Sequence, residues 1–473
     1  MNDEQRRLAH FGAQPEGTGP VFRLPALQLT CVRRVHGDRC AWAVEKLAAV
    51  AATSMVLTGP SMQTSLPTDL LETPLGREAD EILRNCVHCG FCNATCPTYQ
   101  LTGDELDGPR GRIYQIKQVL EGQAATSTTQ LHLDRCLTCR ACETTCPSGV
   151  DYHRLLDTGR ALVEQAVPRP LLERAKRRLL RLLLPYPSRF TPVLRMGQLL
   201  RPVLPASLKQ QVPARQAINT ARPRQAHART VLLLDGCVQP ALAPQINHAA
   251  LRVLDALGIS TLRERNSGCC GAVSYHLNAS EEAKAFMRRN IDAWWPAIEQ
   301  GAEAIVVTAS GCAPMVKDYG HVLSADAAYA DKARRVSELA KDVSEVVSAA
   351  FRREAFTQAG GAARIAFHSP CTLQHGQRIT GIVEDMLAQL GFTLTAVANA
   401  HLCCGSAGTY SILQPDLSAT LRDNKLASLQ GNQPDMIATA NIGCLMHMSG
   451  HADVPVRHWI ELLDPLIPGN TGT

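Results

Sequence analysis

The feature that most constrains this chain is the run Cys86-x2-Cys89-x2-Cys92-x3-Cys96-Pro97, which returns as Cys136-x2-Cys139-x2-Cys142-x3-Cys146-Pro147. Three thiolates on one tight loop can hold three corners of a [4Fe–4S] cube, and in paired loops of this spacing the fourth cysteine serves the other cluster. The expected sets are Cys86, Cys89, Cys92 with Cys146, and Cys136, Cys139, Cys142 with Cys96. Small residues, Gly90 and Ala141, should relieve crowding and leave backbone N–H groups free for sulfur. The proline after each fourth cysteine should turn the chain away. Paired Cys-x2-Cys is also zinc grammar. A third cysteine at the same step, a fourth followed by proline, and the duplication all fit zinc poorly.

A second repetition fills the other half. Cys237, Cys269-Cys270-Gly271 and Cys312 recur as Cys371, Cys403-Cys404-Gly405 and Cys444, at offsets of 134, 134 and 132. Each copy alternates β-type runs with helical stretches. Val231–Leu234, Ser260–Arg263 and Ala304–Val307 belong to the first copy, and Arg364–Phe367, Thr393–Val397 and Met436–Thr439 to the second. The helices Ile246–Leu257 and Gly381–Leu390 end at Gly258 and Gly391, as helix stops should. Such alternation predicts a mainly parallel sheet, with sites beyond the carboxyl ends of its strands. The lone cysteines sit at those ends, so four thiols can gather at one edge in each copy. Adjacent cysteines do not readily form an ordinary disulfide with each other, which leaves metal ligation, reactive thiols, or metal-free structural domains.

The fold class expected is therefore α+β multidomain: a mainly helical two-cluster domain of bacterial-ferredoxin type, then two duplicated α/β Cys-Cys-Gly domains. The boundaries read as an N-terminal extension over 1–75 (dispensable up to 61, since Met62 can initiate), the two-cluster domain over 76–165, and a basic Pro-rich linker over 166–229. The two repeats follow over 230–350 and 360–465. In the extension, Cys31 and Cys40 have no flanking ligand pattern and read as incidental.

Composition sharpens this. Eighteen cysteines in a chain whose start lacks the layout of an export signal suggest metal or redox chemistry, not a disulfide framework. No apolar run approaches the roughly 18 residues that span a bilayer. Charge is uneven: residues 154–229 hold 16 Lys/Arg and 3 Asp/Glu, although the whole chain is only +5. Within that stretch Leu171–Leu184 reads as one basic amphipathic helix. Leu171, Leu172, Ala175, Leu179, Leu182 and Leu183 share a face, Arg174, Arg177 and Arg181 lie opposite, and Arg178 stands near the boundary. Histidines near cysteines (His88, His276, His375, His401, His447) read by default as packing or surface residues, and Trp294-Trp295 as core. No Gly-x-Gly-x-x-Gly loop follows a strand, and no Ser/His/Asp or paired-carboxylate arrangement stands out. Wiring is present and substrate chemistry is not.

From about Glu81 to Leu463 the chain resembles the iron–sulfur subunits of bacterial glycolate oxidases. The resemblance rests on the runs Cys86–Cys92, Gly103–Ile113, Arg135–Cys139, Asn290–Ile298, His401–Tyr410 and Val456–Ile460. It implies a membrane-associated, cytoplasmic complex, peripheral on the inner face of the cytoplasmic membrane. Separate flavin subunits would carry FAD and oxidise glycolate to glyoxylate, and this chain would be an electron relay toward a membrane quinone, with no catalytic residues of its own. It implies two [4Fe–4S] clusters and no nucleic-acid partner. A further iron–sulfur centre or redox thiols are expected among Cys237, Cys269, Cys270, Cys312, Cys371, Cys403, Cys404 and Cys444. In the fullest version of the repeat, that of heterodisulfide reductases, a second cysteine follows the last one at a three-residue step; here those positions are Met315 and His447. The alternatives are the iron–sulfur subunit of a related lactate or glycerol 3-phosphate dehydrogenase, a thiol–disulfide reductase of heterodisulfide type, and, from the basic stretch alone, a nucleic-acid-binding protein with a structural cluster.

Overall fold

Two helices deliver the chain into the two ferredoxin-type loops. In the computed structural model, which describes residues 62–205, 209, 212–215, 226–359 and 363–469, helix Pro74–Arg84 ends just before Cys86 and helix Ser127–Asp134 just before Cys136. Thr73 and Thr126 cap them by accepting backbone N–H bonds from Gly76 and Thr129. Pro97 opens helix Pro97–Thr102 from its first position, where the missing N–H costs nothing. Helices Pro109–Leu120 and Tyr152–Ala166 cross behind the loops. Their apolar faces (Ile113, Ile116, Leu120, Leu155, Leu156, Val163) meet Leu83 and Leu133 in one core that also touches Cys86, Cys136 and Cys142.

Residues 62–75, grouped by the sequence with the N-terminal extension, pack on this core: Leu66 is buried in it, and the Met62 N–H donates to the Cys86 carbonyl at 3.1 Å. The incidental Cys31 and Cys40 and the dispensable stretch up to 61 lie outside the described residues.

The repeats build two four-stranded parallel sheets of one topology. The first orders β1 (Arg229–Leu234), β2 (Ile259–Leu262), β3 (Ile305–Val307) and β4 (Ala340–Asp342) as β2-β1-β3-β4. The second orders β5 (Arg364–His368), β6 (Thr393–Leu394), β7 (Met436–Thr439) and β8 (Val456–His458) as β6-β5-β7-β8. Leu232 pairs with Ile305 in the first sheet and Ile365 with Met436 in the second. β6 keeps only two of the five residues expected of it. The sheets share one core, in which Val231, Leu254 and Val343 meet Ile365, Ala438 and Trp459. Cross-repeat bonds close the seam, from the Ser310 N–H to the Ala440 carbonyl (3.1 Å) and between His458 Nε2 and the Thr308 carbonyl (3.0 Å).

The linker holds two helices, Leu171–Leu183 and Pro187–Leu200. The second was missed because Pro192 lies inside it. In the first, arginines opposite the leucine stripe are tied within the chain. Arg177 is buried, bonding Asp134 and Glu173 at 3.0 Å each, and Arg181 reaches Glu282 at 3.1 Å. Lys176 donates to the Ile412 carbonyl at 2.6 Å. The polar side thus bridges the ferredoxin-type domain and both repeats, while Leu171, Leu172, Leu179 and Leu182 face solvent.

Candidate metal centres

In each ferredoxin-type loop the second and fourth residues after the first cysteine take left-handed backbone. These are His88 (φ 55°) and Gly90 (φ 84°) in one loop, Thr138 (φ 54°) and Arg140 (φ 62°) in the other. That pair of reversals curls the loop so that its sulfurs point to one centre. Gly90 therefore corresponds in backbone to Arg140, and Ala141 opens helix Ala141–Thr145. Arg140 is held there by Glu143 at 2.7 Å.

Cys86, Cys89, Cys92 and Cys146 line one concavity beside Pro147 and Arg110, with Cys89 exposed. Burial and then the neighbouring Cys86, Cys146 and Cys89 push the Cys92 thiol up to about 12. Cys139 and Cys142 are raised by complete burial and by charge on Cys136 and Cys96, which gathers the second set. Thiols so placed resist ionising beside one another, and a cationic metal core removes that penalty. Donors aim at the sulfurs: the Thr138 N–H at Cys136 Sγ (3.4 Å) and the Tyr152 hydroxyl at the same atom (3.8 Å). Sequence reasoning missed the buried braces behind the second set. Asp107 accepts from Arg135 (2.8 Å) and lies 2.8 Å from His132 Nδ1, while Arg112 donates to the His132 carbonyl and to Thr98 Oγ1. In the sequence Asp107 and Arg112 sit in the charged run Gly103–Ile113, which gives no sign that they are buried.

The two sheets present their cysteines as their topology dictates. β1 and β3 are neighbours whose connections leave in opposite directions, and a crevice opens beyond their carboxyl ends. Cys237 and Cys312 follow those two ends; Cys371 and Cys444 follow β5 and β7. Gly271 (φ 94°) and Gly405 (φ 87°) let the Cys-Cys pairs turn back into the crevice, and each donates its N–H to the first sulfur of its pair at 3.4 Å. A Cβ at Gly271 would meet the Ala283 carbonyl oxygen at 3.1 Å, and one at Gly405 the Ser418 carbonyl oxygen at 2.6 Å. The sulfurs form a chain of contacts in both copies, Cys237–Cys269–Cys270–Cys312 and Cys371–Cys403–Cys404–Cys444, with Cys371 and Cys403 3.7 Å apart. Both quartets thus converge, with donor sets suited to a thiophilic metal.

The surroundings differ. Buried Lys425 lies beside the second quartet and donates to the Asn399 and Ala400 carbonyls. The corresponding first-repeat position is Asn290, which bonds the Cys269 carbonyl. Among the expected histidines, His375 bridges Thr144 Oγ1 and the His401 carbonyl at 2.9 Å each, and His447 turns to Ser418. Trp294 is core, as expected, whereas Trp295 is only half-buried and donates to Glu299 at 2.8 Å. His276 lines a cavity of about 70 Å³ with Cys139, His153 and Asp157. His368, which the sequence did not single out, is buried against Cys404 and Cys444. The signal was present: β5 ends in histidine where β1 ends in Leu234.

Fold and site together define an iron–sulfur protein with a ferredoxin-type domain and a duplicated cysteine-rich unit. The chain matches the 4Fe-4S dicluster domain over residues 82–150 and the cysteine-rich domain twice, over 231–317 and 365–449. It is 57% identical over 405 residues to the glycolate oxidase iron-sulfur subunit of Escherichia coli, a match covering 85% of this chain and 98% of that one. A probable glycolate oxidase iron-sulfur subunit of Bacillus subtilis is 29% identical over 77% of this chain and 88% of its own length. The lactate utilization protein A of an Exiguobacterium is 29% identical over 50% of this chain and 96% of its own. The chain belongs to the family of glycolate oxidase iron–sulfur subunits.

Proposed function

We propose that this chain is the electron relay of a glycolate-oxidising complex, taking electrons from flavin-bearing partner subunits and delivering them to a membrane quinone. One observation carries the reading. Cys139 of the second ferredoxin-type set packs in one apolar cluster with Cys371 and Cys403 of the second repeat, together with Leu137, Tyr410 and Leu421. When bound, iron–sulfur clusters supply one-electron steps between two-electron donors and acceptors. The chain's own residues supply position: Cys86, Cys89, Cys92 and Cys146 hold a site at the surface, and Cys136, Cys139, Cys142 and Cys96 hold one inside. Cys371, Cys403, Cys404 and Cys444 hold the next, behind Cys139, and Leu137 and Tyr410 keep water from the junction. The route from exposed Cys89 to buried Cys404 stays inside protein.

The membrane end of the reading rests on the helix Leu171–Leu183. Among the described residues no helix is long and apolar enough to cross a membrane. An apolar stripe in solvent beside exposed Arg174 and Arg178 suits an interfacial helix lying on anionic lipid. Arg177 and Arg181 are committed to Asp134, Glu173 and Glu282 and contribute nothing to lipid attraction.

The test uses the complex with its flavin partners. Cys404→Ala should stop glycolate-driven reduction of a quinone analogue while both ferredoxin-type EPR signals persist. Cys270→Ala separates the first repeat from this route, and full activity in Cys404→Ala would refute a route through the second. The isolated, flavin-free chain should not oxidise glycolate.

A further inference from the structure

The second repeat carries a donor that the first lacks. His368 is the last residue of β5, three positions before Cys371, and is only 2% exposed. Its Nδ1 lies 2.9 Å from Thr439 Oγ1, while its Nε2 is buried with no hydrogen-bond partner among the described residues. One ring nitrogen of His368 and the sulfurs of Cys404 and Cys444 all lie within 4.8 Å of one another. An unpartnered buried imidazole nitrogen costs free energy unless something binds it. The ring is already oriented as metal-bound histidines are, with the far nitrogen fixed by the Thr439 hydroxyl.

The repeats give an internal comparison. Where β5 places His368, β1 places Leu234, packed among Cys270, Ile291 and Trp294 in an apolar cluster. His447 is not a rival, because its Nε2 faces Ser418 Oγ (3.2 Å) and the Ser418 carbonyl (3.3 Å).

We propose that His368 Nε2 is the fifth protein ligand of a metal centre held by Cys371, Cys403, Cys404 and Cys444, so that the two repeats hold unlike sites, four thiolates in the first and four thiolates plus an imidazole in the second. This rests on the reading that the second repeat holds an iron–sulfur centre. A neutral imidazole adds a ligand without adding negative charge, which favours the reduced state of a centre there over one in the first repeat.

The experiment compares full-length holoprotein, purified anaerobically with natural-abundance or ¹⁵N-labelled histidine, by iron analysis and pulsed EPR. Wild type should show a strong, directly bonded histidine-nitrogen coupling on a centre that Cys404→Ala removes. His368→Leu, which installs the residue the first repeat already accommodates, should lose that coupling and leave the ferredoxin-type signals unchanged. His368→Cys should lose the nitrogen coupling, retain iron and shift the potential of that centre downward. A centre removed by Cys404→Ala but showing no nitrogen coupling, or only the weak coupling of an N–H···S bond, overturns the ligand assignment and leaves the relay reading standing. Coupling that survives in His368→Leu overturns it in favour of another histidine. Unchanged iron and spectra in Cys404→Ala would show that the second repeat holds no centre, and the proposal would fall with that reading.

Discussion

Replacing Leu171, Leu172, Leu179 and Leu182 together by Gln should release the complex from membranes without unfolding it. These side chains are 80%, 83%, 62% and 47% exposed, so between two and three leucines' worth of apolar surface stands in water. Burying one leucine fully is worth about 1.5–3 kcal/mol, so full insertion of the stripe contributes about 5 kcal/mol and a shallow one about 3. Arg174 and Arg178 add about 1 kcal/mol each near anionic lipid. The apolar term therefore dominates.

At 1.4 kcal/mol per decade the quadruple variant should lose about 10²- to 4 × 10³-fold in partition, and Arg174→Gln with Arg178→Gln about 10–30-fold. The leucine loss should persist at high salt, whereas the arginine loss should shrink. Because the leucines make few contacts within the chain, the melting temperature should not fall. Arg177→Gln should do the reverse, leaving partition unchanged while lowering stability, since it strips a buried partner from Asp134 and Glu173. The assay is co-sedimentation with vesicles of mixed neutral and anionic lipid, with thermal melts alongside. Equal vesicle binding by wild type and the quadruple variant refutes the argument; if that variant instead loses its flavin partners, the stripe is a protein interface.

Three further outcomes are expected. Gly405→Ala should destabilise the holoprotein more than Gly271→Ala: both incur about 1–2 kcal/mol for left-handed backbone, and only the former drives a Cβ to 2.6 Å from a carbonyl oxygen, adding about 1–3 kcal/mol. Chemical denaturation of the two variants decides it, and equal losses would contradict the geometry. Cys89→Ser, at an exposed position, should remove one ferredoxin-type EPR signal with little change in fold, whereas Cys139→Ser should also disturb the second repeat, against which it packs. For His153, burial pulls the imidazole down, but bonds to Asp151 and Glu143 outweigh it and hold the group up to about 9, above its ordinary 6.5. The stability it adds, at most about 3 kcal/mol, is full below pH 6.5 and lost as pH rises through about 9. His153→Gln should flatten the pH dependence of the unfolding midpoint across that window.

What the sequence revealed was whatever repeats. Fixed cysteine spacing announced the two loops, and the matched offsets of Cys237 and Cys371 announced the duplicated sheets, because thiols that must meet at one point constrain the chain between them. What it concealed depends on where a side chain faces. The stripe of Leu171–Leu183 was legible as an amphipathic helix, yet the fate of its arginines was not: Arg177 is buried because Asp134 and Glu173 wait there, on a different helix and at its own start. The left-handed turn at Arg140, the counterpart of Gly90, was not legible because arginine is a poor candidate for that backbone and is held there by Glu143. His368 was hidden by its position on a strand end, where an apolar residue is the ordinary expectation and where Leu234 supplies one in the other copy.

Duplication explains why two quartets exist, and divergence argues that they do not share one task. The backbone is kept: strand order, register, the turn at the Cys-Cys-Gly glycine and its N–H bond to sulfur are the same in both copies. The side chains around the sulfurs are not. The first quartet lies beside Leu234, Ile291 and Trp294, with Asn290 satisfied by the Gly268 N–H and the Cys269 carbonyl, surroundings that favour a neutral and inert site. The second has a buried lysine, a histidine whose Nε2 has no hydrogen-bond partner among the described residues, and contact with Cys139. Burying Lys425 and His368 without use would cost several kcal/mol that Ile or Leu would not. Such groups persist where a charge or a metal offsets the cost, which supports the proposed centre in the second repeat.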